Sequence, residues 1–204
     1  MNRIFVFGDS IVFGVGEAPC IGWVGRLKAD FELQGKQNKI FNLGIPGDNS
    51  TDVLQRIDGE MNARTELKEK RDKFTIILGI GTNDSRVFES IITPDLFRAN
   101  VRKLIHKSGM HADEVIFISL LPVVEEELNA FGQEFFTNAN SKKFNEIIRD
   151  ECSRASVLFC DLFSLWESKD YSEWFEDGLH PNSYGYDIMY EQIKTFLARN
   201  NVLT

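Results

Sequence analysis

The apolar positions of this chain fall into two alternating kinds of segment. Short, nearly continuous apolar runs occur at 4–7, 39–43, 74–80, 115–121 and 157–162. Runs of this length read as strands buried on both faces. Between them, apolar residues recur every three or four positions, which is the spacing of a helix with one buried face. Trp23, Val24, Leu27 and Phe31 mark such a face over 23–33. The pattern predicts further helices over 50–67, with a break at Gly59, over 93–107, over 138–155 and over 183–199. Pro94 and Asp95 are good residues for the first turn of the third of these five. Phe144, Ile147 and Ile148 share a face in the fourth, and Tyr186, Met189, Tyr190, Ile193, Phe196 and Leu197 give the apolar spacing of the last.

Strands that alternate with amphipathic helices predict an α/β fold, a parallel sheet with helices on both faces. No repeat, low-complexity segment or linker interrupts the pattern, so residues 1–204 read as one domain. One connection, 122–137, is long. It carries Glu125, Glu126 and Glu127, read as a solvated surface, and then Phe131, Phe135 and Phe136. Connections of this length without regular structure are uncommon and often functional.

Composition narrows the choice of partner. The 204 residues are 43% hydrophobic, include 17 Phe and carry a formal net charge of −8. A chain this acidic lacks the basic face that a nucleic acid needs, so no nucleic-acid partner is expected. No segment approaches the roughly 18–20 apolar residues of a membrane span. The first strand begins within four residues and shows no leader of the secretory kind, so a cytoplasmic protein is expected. Cys20, Cys152 and Cys160 have no metal-binding or redox spacing and are expected as free thiols. His106 and His111 fall near the end of a helix and are expected to face solvent. Oligomeric state cannot be read from the chain.

The polar clusters lie where strands end. The first strand runs into Gly8-Asp9-Ser10, the second into Gly44-Ile45-Pro46-Gly47-Asp48-Asn49, the third into Gly81-Thr82-Asn83-Asp84. Ligands of open parallel sheets bind beyond the carboxyl ends of the strands, where the strand order reverses. With order 2-1-3-4-5, Ser10 and Asn83 face one crevice. Far downstream stands Asp177-Gly178-Leu179-His180-Pro181. A serine oxygen is a weak nucleophile until a base takes its proton, and a carboxylate orients that base. Ser10 is the candidate nucleophile, His180 the base and Asp177 its orienting acid. The Ser10 and Gly47 backbone N–H groups and the Asn83 amide are candidate donors to an oxyanion. Taken alone, Asp9-Ser10 would read as a helix cap. Gly14-Val15-Gly16 lacks the remainder of a phosphate loop. The Gly-x-Ser-x-Gly nucleophile elbow is also absent, because Val12 follows Ser10 by two.

These four blocks, in this order, resemble those of the GDSL, or SGNH, hydrolases, with Ile11 where the family name has Leu. The resemblance implies a three-layer, flavodoxin-like α/β/α sandwich with a five-stranded parallel sheet. It implies hydrolysis of ester or thioester bonds with no metal and no cofactor, and it favours Gly47 over Gly44 as the oxyanion glycine. The expected partner is a small acyl ester. Asp9, Phe131, Phe135, Phe136, Trp174 and Phe175 are candidates for the substrate pocket. Sugar O-deacetylation at the same site is an alternative. A nucleotide- or flavin-binding module is another, from a different class, although it would not require Asp177-x-x-His180.

Overall fold

The computed structural model describes residues 2–35, 37–65, 72–87, 92–130, 132 and 135–203. Five strands, β1 (Asn2–Gly8), β2 (Lys39–Gly44), β3 (Lys73–Gly79), β4 (Glu114–Ile118) and β5 (Leu158–Cys160), form one sheet in the order β2-β1-β3-β4-β5. Every pairing is parallel. Both the predicted strand order and the predicted parallel sheet are therefore observed.

The side-chain alternation of β1 explains the layers. Ile4 and Val6 pack on one face with Trp23, Val24 and Leu27 of α2 (Gly22–Gln34) and Tyr186, Met189 and Ile193 of α8 (Ser183–Arg199). Phe5 and Phe7 point the other way. They join Val53, Ile57 and Met61 of α3 (Ser50–Thr65), Phe97, Val101 and Leu104 of α4 (Pro94–His111), and Phe144 and Ile148 of α6 (Asn138–Ala155). Phe5 is fully buried, stacks on Phe41 and meets Phe74 edge-on. Each such buried side chain stabilises the fold by about 1.5–3 kcal/mol.

Caps set several helix starts. Thr93 accepts from Leu96 N, with Pro94 in the first turn of α4. Thr137 caps α6 and Asn182 caps α8. At the head of α3, Asn49 Oδ1 accepts from Thr51 N. Helix α3 runs unbroken through Gly59 to Thr65, so no break occurs there. Leu67, placed in that helix by its periodicity, lies outside the described residues.

Four short elements have no counterpart in the periodicity: α1 (Ser10–Phe13), α5 (Glu125–Ala130), α7 (Leu162–Glu167) and a 3₁₀ turn at Ser172–Trp174. The connection 122–137 is thus not structureless. Its three glutamates form the first turn of α5, where negative charge is favoured by the helix dipole. Strand β5 stops short of the expected 162 because Asp161 turns the chain, accepting Ser164 N as the cap of α7. Among the described residues, no helix is long and apolar enough to cross a membrane.

Candidate active site

The carboxyl ends of β2, β1 and β3 are level with one another. Gly8 pairs in register with Gly44 on one side and Gly79 on the other. A Cβ on Gly8 would lie 2.3 Å from both Gly79 O and Val12 Cγ2. Glycine therefore lets the turn of α1 sit directly on the sheet. Asp9 caps that turn, its Oδ1 accepting from Ile11 N at 2.9 Å. Asn42 Nδ2 donates to Val12 O at 2.9 Å and Tyr186 Oη to Val15 O at 2.6 Å. The capping reading of Asp9 holds, and the cap fixes the turn that carries Ser10.

Ser10 Oγ lies 2.9 Å from His180 Nε2, although 170 residues separate them. His180 Nδ1 lies 2.7 Å from Asp177 Oδ2. The other oxygen, Asp177 Oδ1, accepts the backbone N–H of His180 at 2.7 Å and of Leu179 at 3.0 Å. This local turn sets the His180 ring at hydrogen-bonding distance from both partners. Burial pushes the Asp177 carboxyl up, but hydrogen bonds from the His180 ring and backbone outweigh it and hold the group down at about 2. Asp177 is thus ionised at any pH where the imidazole could act as a base. The loop is braced from outside: Val124 N donates to Gly178 O at 2.9 Å, and Leu179 packs with Val123, Leu128 and Phe136. The 122–137 segment is therefore a buttress of the Asp177–His180 loop.

Ser10 shares its cleft with Gly47 and Asn83. Its own N–H lies in the first turn of α1, where backbone donors have no intrahelical acceptor. Gly47 has φ +88°, and a Cβ there would meet no atom within 4 Å. Glycine serves here for the backbone angle rather than for space. Arg56 holds this loop, donating to Asp48 Oδ2 at 2.8 Å and to Leu43 O at 2.8 Å. Asn83 Nδ2 donates to Asp48 O at 2.9 Å, which leaves its second N–H available. Asp84 points away from the cleft and accepts from Ser50 N, tying the loop after β3 to the start of α3.

A cleft of about 290 Å³ opens above these groups. Its floor includes Ser10, Gly47, Asn83 and His180, and its walls include Arg86, Phe135, Phe136 and Leu179. Phe135 and Phe136 thus line the same cleft as Ser10. Phe131 lies outside the described residues. Two expectations need correction. Phe175 is 6% exposed and packs in the core on Trp166, and Trp174 meets the same indole edge-on at 5.0 Å. Neither lines the cleft, because the 3₁₀ turn directs both rings back toward α7 and α8. Asp9 is also corrected. It is 1% exposed and lines a small interior cavity with Trp23 and Met189 behind the serine, not the substrate cleft. Arg86 and Arg56 were missed, although the strand-end rule that marked Asn83 also covers the loop holding Arg86. His106 is exposed, whereas His111 is partly covered and pairs with Asp58 at 3.0 Å.

Burial raises the Asp9 carboxyl to about 7. The folded protein keeps a proton there that the unfolded chain releases near pH 4. The stability from neutral Asp9 is complete below pH 4 and is lost as pH rises through 7. Asp9→Asn should therefore stabilise the protein by a few kcal/mol at pH 8, and by clearly less at pH 5. Urea unfolding at both pH values measures this, and a pH-independent difference would contradict it.

The model of the GDSL-like lipase/acylhydrolase family matches residues 6–188. A multidomain esterase of Ruminococcus flavefaciens is 26% identical over 98% of this chain. The chain spans only 29% of that relative's length. The crystal structure of a lipase/acylhydrolase from Enterococcus faecalis superposes with a TM-score of 0.78 at 25% identity, covering 98% of this chain and 97% of the other. An acetyl xylan esterase from Geobacillus stearothermophilus shares the fold, with a TM-score of 0.74 at 15% identity over 96% and 93% of the two chains.

Proposed function

The chain belongs to the GDSL-like lipase/acylhydrolase family, and we propose that residues 1–204 act as one hydrolase domain cleaving small carboxylic esters at Ser10. The observation that carries this reading is the line of hydrogen bonds Ser10–His180–Asp177, 2.9 Å and then 2.7 Å long. Ser10 Oγ attacks the ester carbonyl carbon while His180 Nε2 takes its proton. Ionised Asp177 fixes the Nδ1–H tautomer and stabilises the imidazolium. The carbonyl oxygen becomes an oxyanion, met by the N–H groups of Ser10, Gly47 and Asn83. Collapse of the tetrahedral intermediate breaks the bond to the alcohol, which leaves with the proton from His180. Water, deprotonated by His180, then attacks the acyl-serine and releases the acid. A nucleotide- or flavin-binding module would not require these three side chains in one line.

The cleft lies at the small end of ligand sites, which favours a short acyl group. Sugar O-deacetylation is a second reading of the same site. It draws on the kinship of fold with the Geobacillus acetyl xylan esterase. A panel of p-nitrophenyl esters from acetate to octanoate, run beside acetylated xylose, tests both. The expected result is turnover of acetate and butyrate with a steep fall by octanoate. Acetylated xylose turned over far faster than p-nitrophenyl acetate would favour the second reading. No turnover of any ester would contradict both.

A further inference from the structure

Among the described residues, Arg86 is a cation in the cleft without a counter-charge. Its guanidinium carbon lies 5.1 Å from the ring centroid of Phe135 and 5.2 Å from that of Phe136. Its one hydrogen bond among the described residues runs from Nη2 to Asn83 Oδ1, at 3.4 Å. Its Nε is buried and has no hydrogen-bond partner among the described residues. By contrast, Arg26, Arg56 and Arg98 each hold a carboxylate. The described acids nearest the cleft are already engaged. Asp48 holds Arg56, Asp177 holds His180, and Asp84 holds Ser50. Aromatic faces offset part of the desolvation of a guanidinium, yet a buried donor left unpaired is costly. An anion entering the cleft would supply the missing acceptor. Carboxylates and phosphates match the fork of a guanidinium and can accept two of its N–H groups at once.

We propose that Arg86 is a specificity-determining residue that selects esters carrying an anionic group. This inference rests on the ester-hydrolase reading of the same cleft. The substrate class it names is an anionic acyl ester, with the charge on either the acid or the alcohol part. The aromatic walls fix the plane of the guanidinium, and the Asn83 contact places it beside the oxyanion donors.

Two pairs of esters matched except for charge test this. One is 4-acetoxybenzoate with its methyl ester, and the other mono-4-nitrophenyl adipate with its methyl ester. In at least one pair, the anionic member should have the higher kcat/KM by about tenfold, the scale of one charge-assisted hydrogen bond. The gain should lie mainly in KM and shrink in 0.5 M NaCl. Arg86→Gln should bring the ratio within about threefold of unity, and Arg86→Lys should keep part of it. Calorimetric titration with benzoate and adipate adds a readout independent of turnover: binding to the wild type should be lost in Arg86→Gln. Ratios near unity in both wild-type pairs would overturn the proposal. So would a ratio that survives in Arg86→Gln, or equal losses on both members of a pair, which would leave Arg86 only positioning Asn83. Anion binding with no hydrolysis of any ester would contradict the hydrolase reading while sparing the anion site. Hydrolysis with no charge preference and no anion binding would do the reverse.

Discussion

Ser10→Ala should lower kcat/KM for p-nitrophenyl acetate by about 10⁴-fold or more. The covalent step has no substitute in the cleft. Apart from His180, its other polar side chains, Asn83 and Arg86, are donors to their partners there and neither offers a nucleophilic oxygen. The loss should come without loss of fold. Ser10 is 9% exposed at the cleft floor, and its side chain bonds only to His180 among the described residues. Removing one oxygen there empties little volume and leaves the cap from Asp9 to Ile11 in place. Unchanged unfolding with abolished turnover is the expected pair of results. Undiminished turnover in the variant would remove Ser10 from the reaction.

The second large effect is at Asn83. If its free Nδ2–H meets the oxyanion, Asn83→Ala should cost about 10²–10³ in kcat with a smaller change in KM, because the bond is strongest in the transition state. A structural role would read differently. Asn83 also ties its loop to Asp48 O, across 35 positions of sequence. Loosening that tie alone would move KM and thermal stability together. A loss in kcat of less than a few-fold would assign Asn83 to the loop and not to the oxyanion.

The buried strands were legible because their apolar runs are filled on both faces, as Phe5 and Phe7 against Ile4 and Val6 show. The long helices were legible because each carries a repeated apolar stripe. Helix α1 was not, since four residues cannot display a period. Its existence depends on the Asp9 cap and on Gly14, whose φ of +106° ends the turn. Helix α5 was hidden for a related reason: of its six residues only Leu128 is buried. Trp174 misled by proximity. Standing three residues before Asp177, it seemed placed for the pocket, but its ring finds Trp166.

The site itself divides in the same way. Ser10, Asn83, Asp177 and His180 follow from chemistry that needs those residue types at strand ends and on one loop. The sheet order that sets β1 beside β3 brings Ser10 and Asn83 to one cleft, and the loop before α8 carries His180 to Ser10 across 170 positions. Arg86 stands on the same strand-end loop as Asn83, but its residue type named no step of the chemistry. An arginine in a polar loop is unremarked until Phe135 and Phe136, from a distant connection, close around it.

The most direct measurement treats the native protein with a fluorophosphonate and maps the adduct by peptide mass spectrometry. Only a serine activated by a base reacts readily with this phosphorus centre. One adduct per chain is expected, on the peptide that contains Ser10, with none in the heat-unfolded protein. A native protein that takes up no label, or carries it on another serine, would contradict the account.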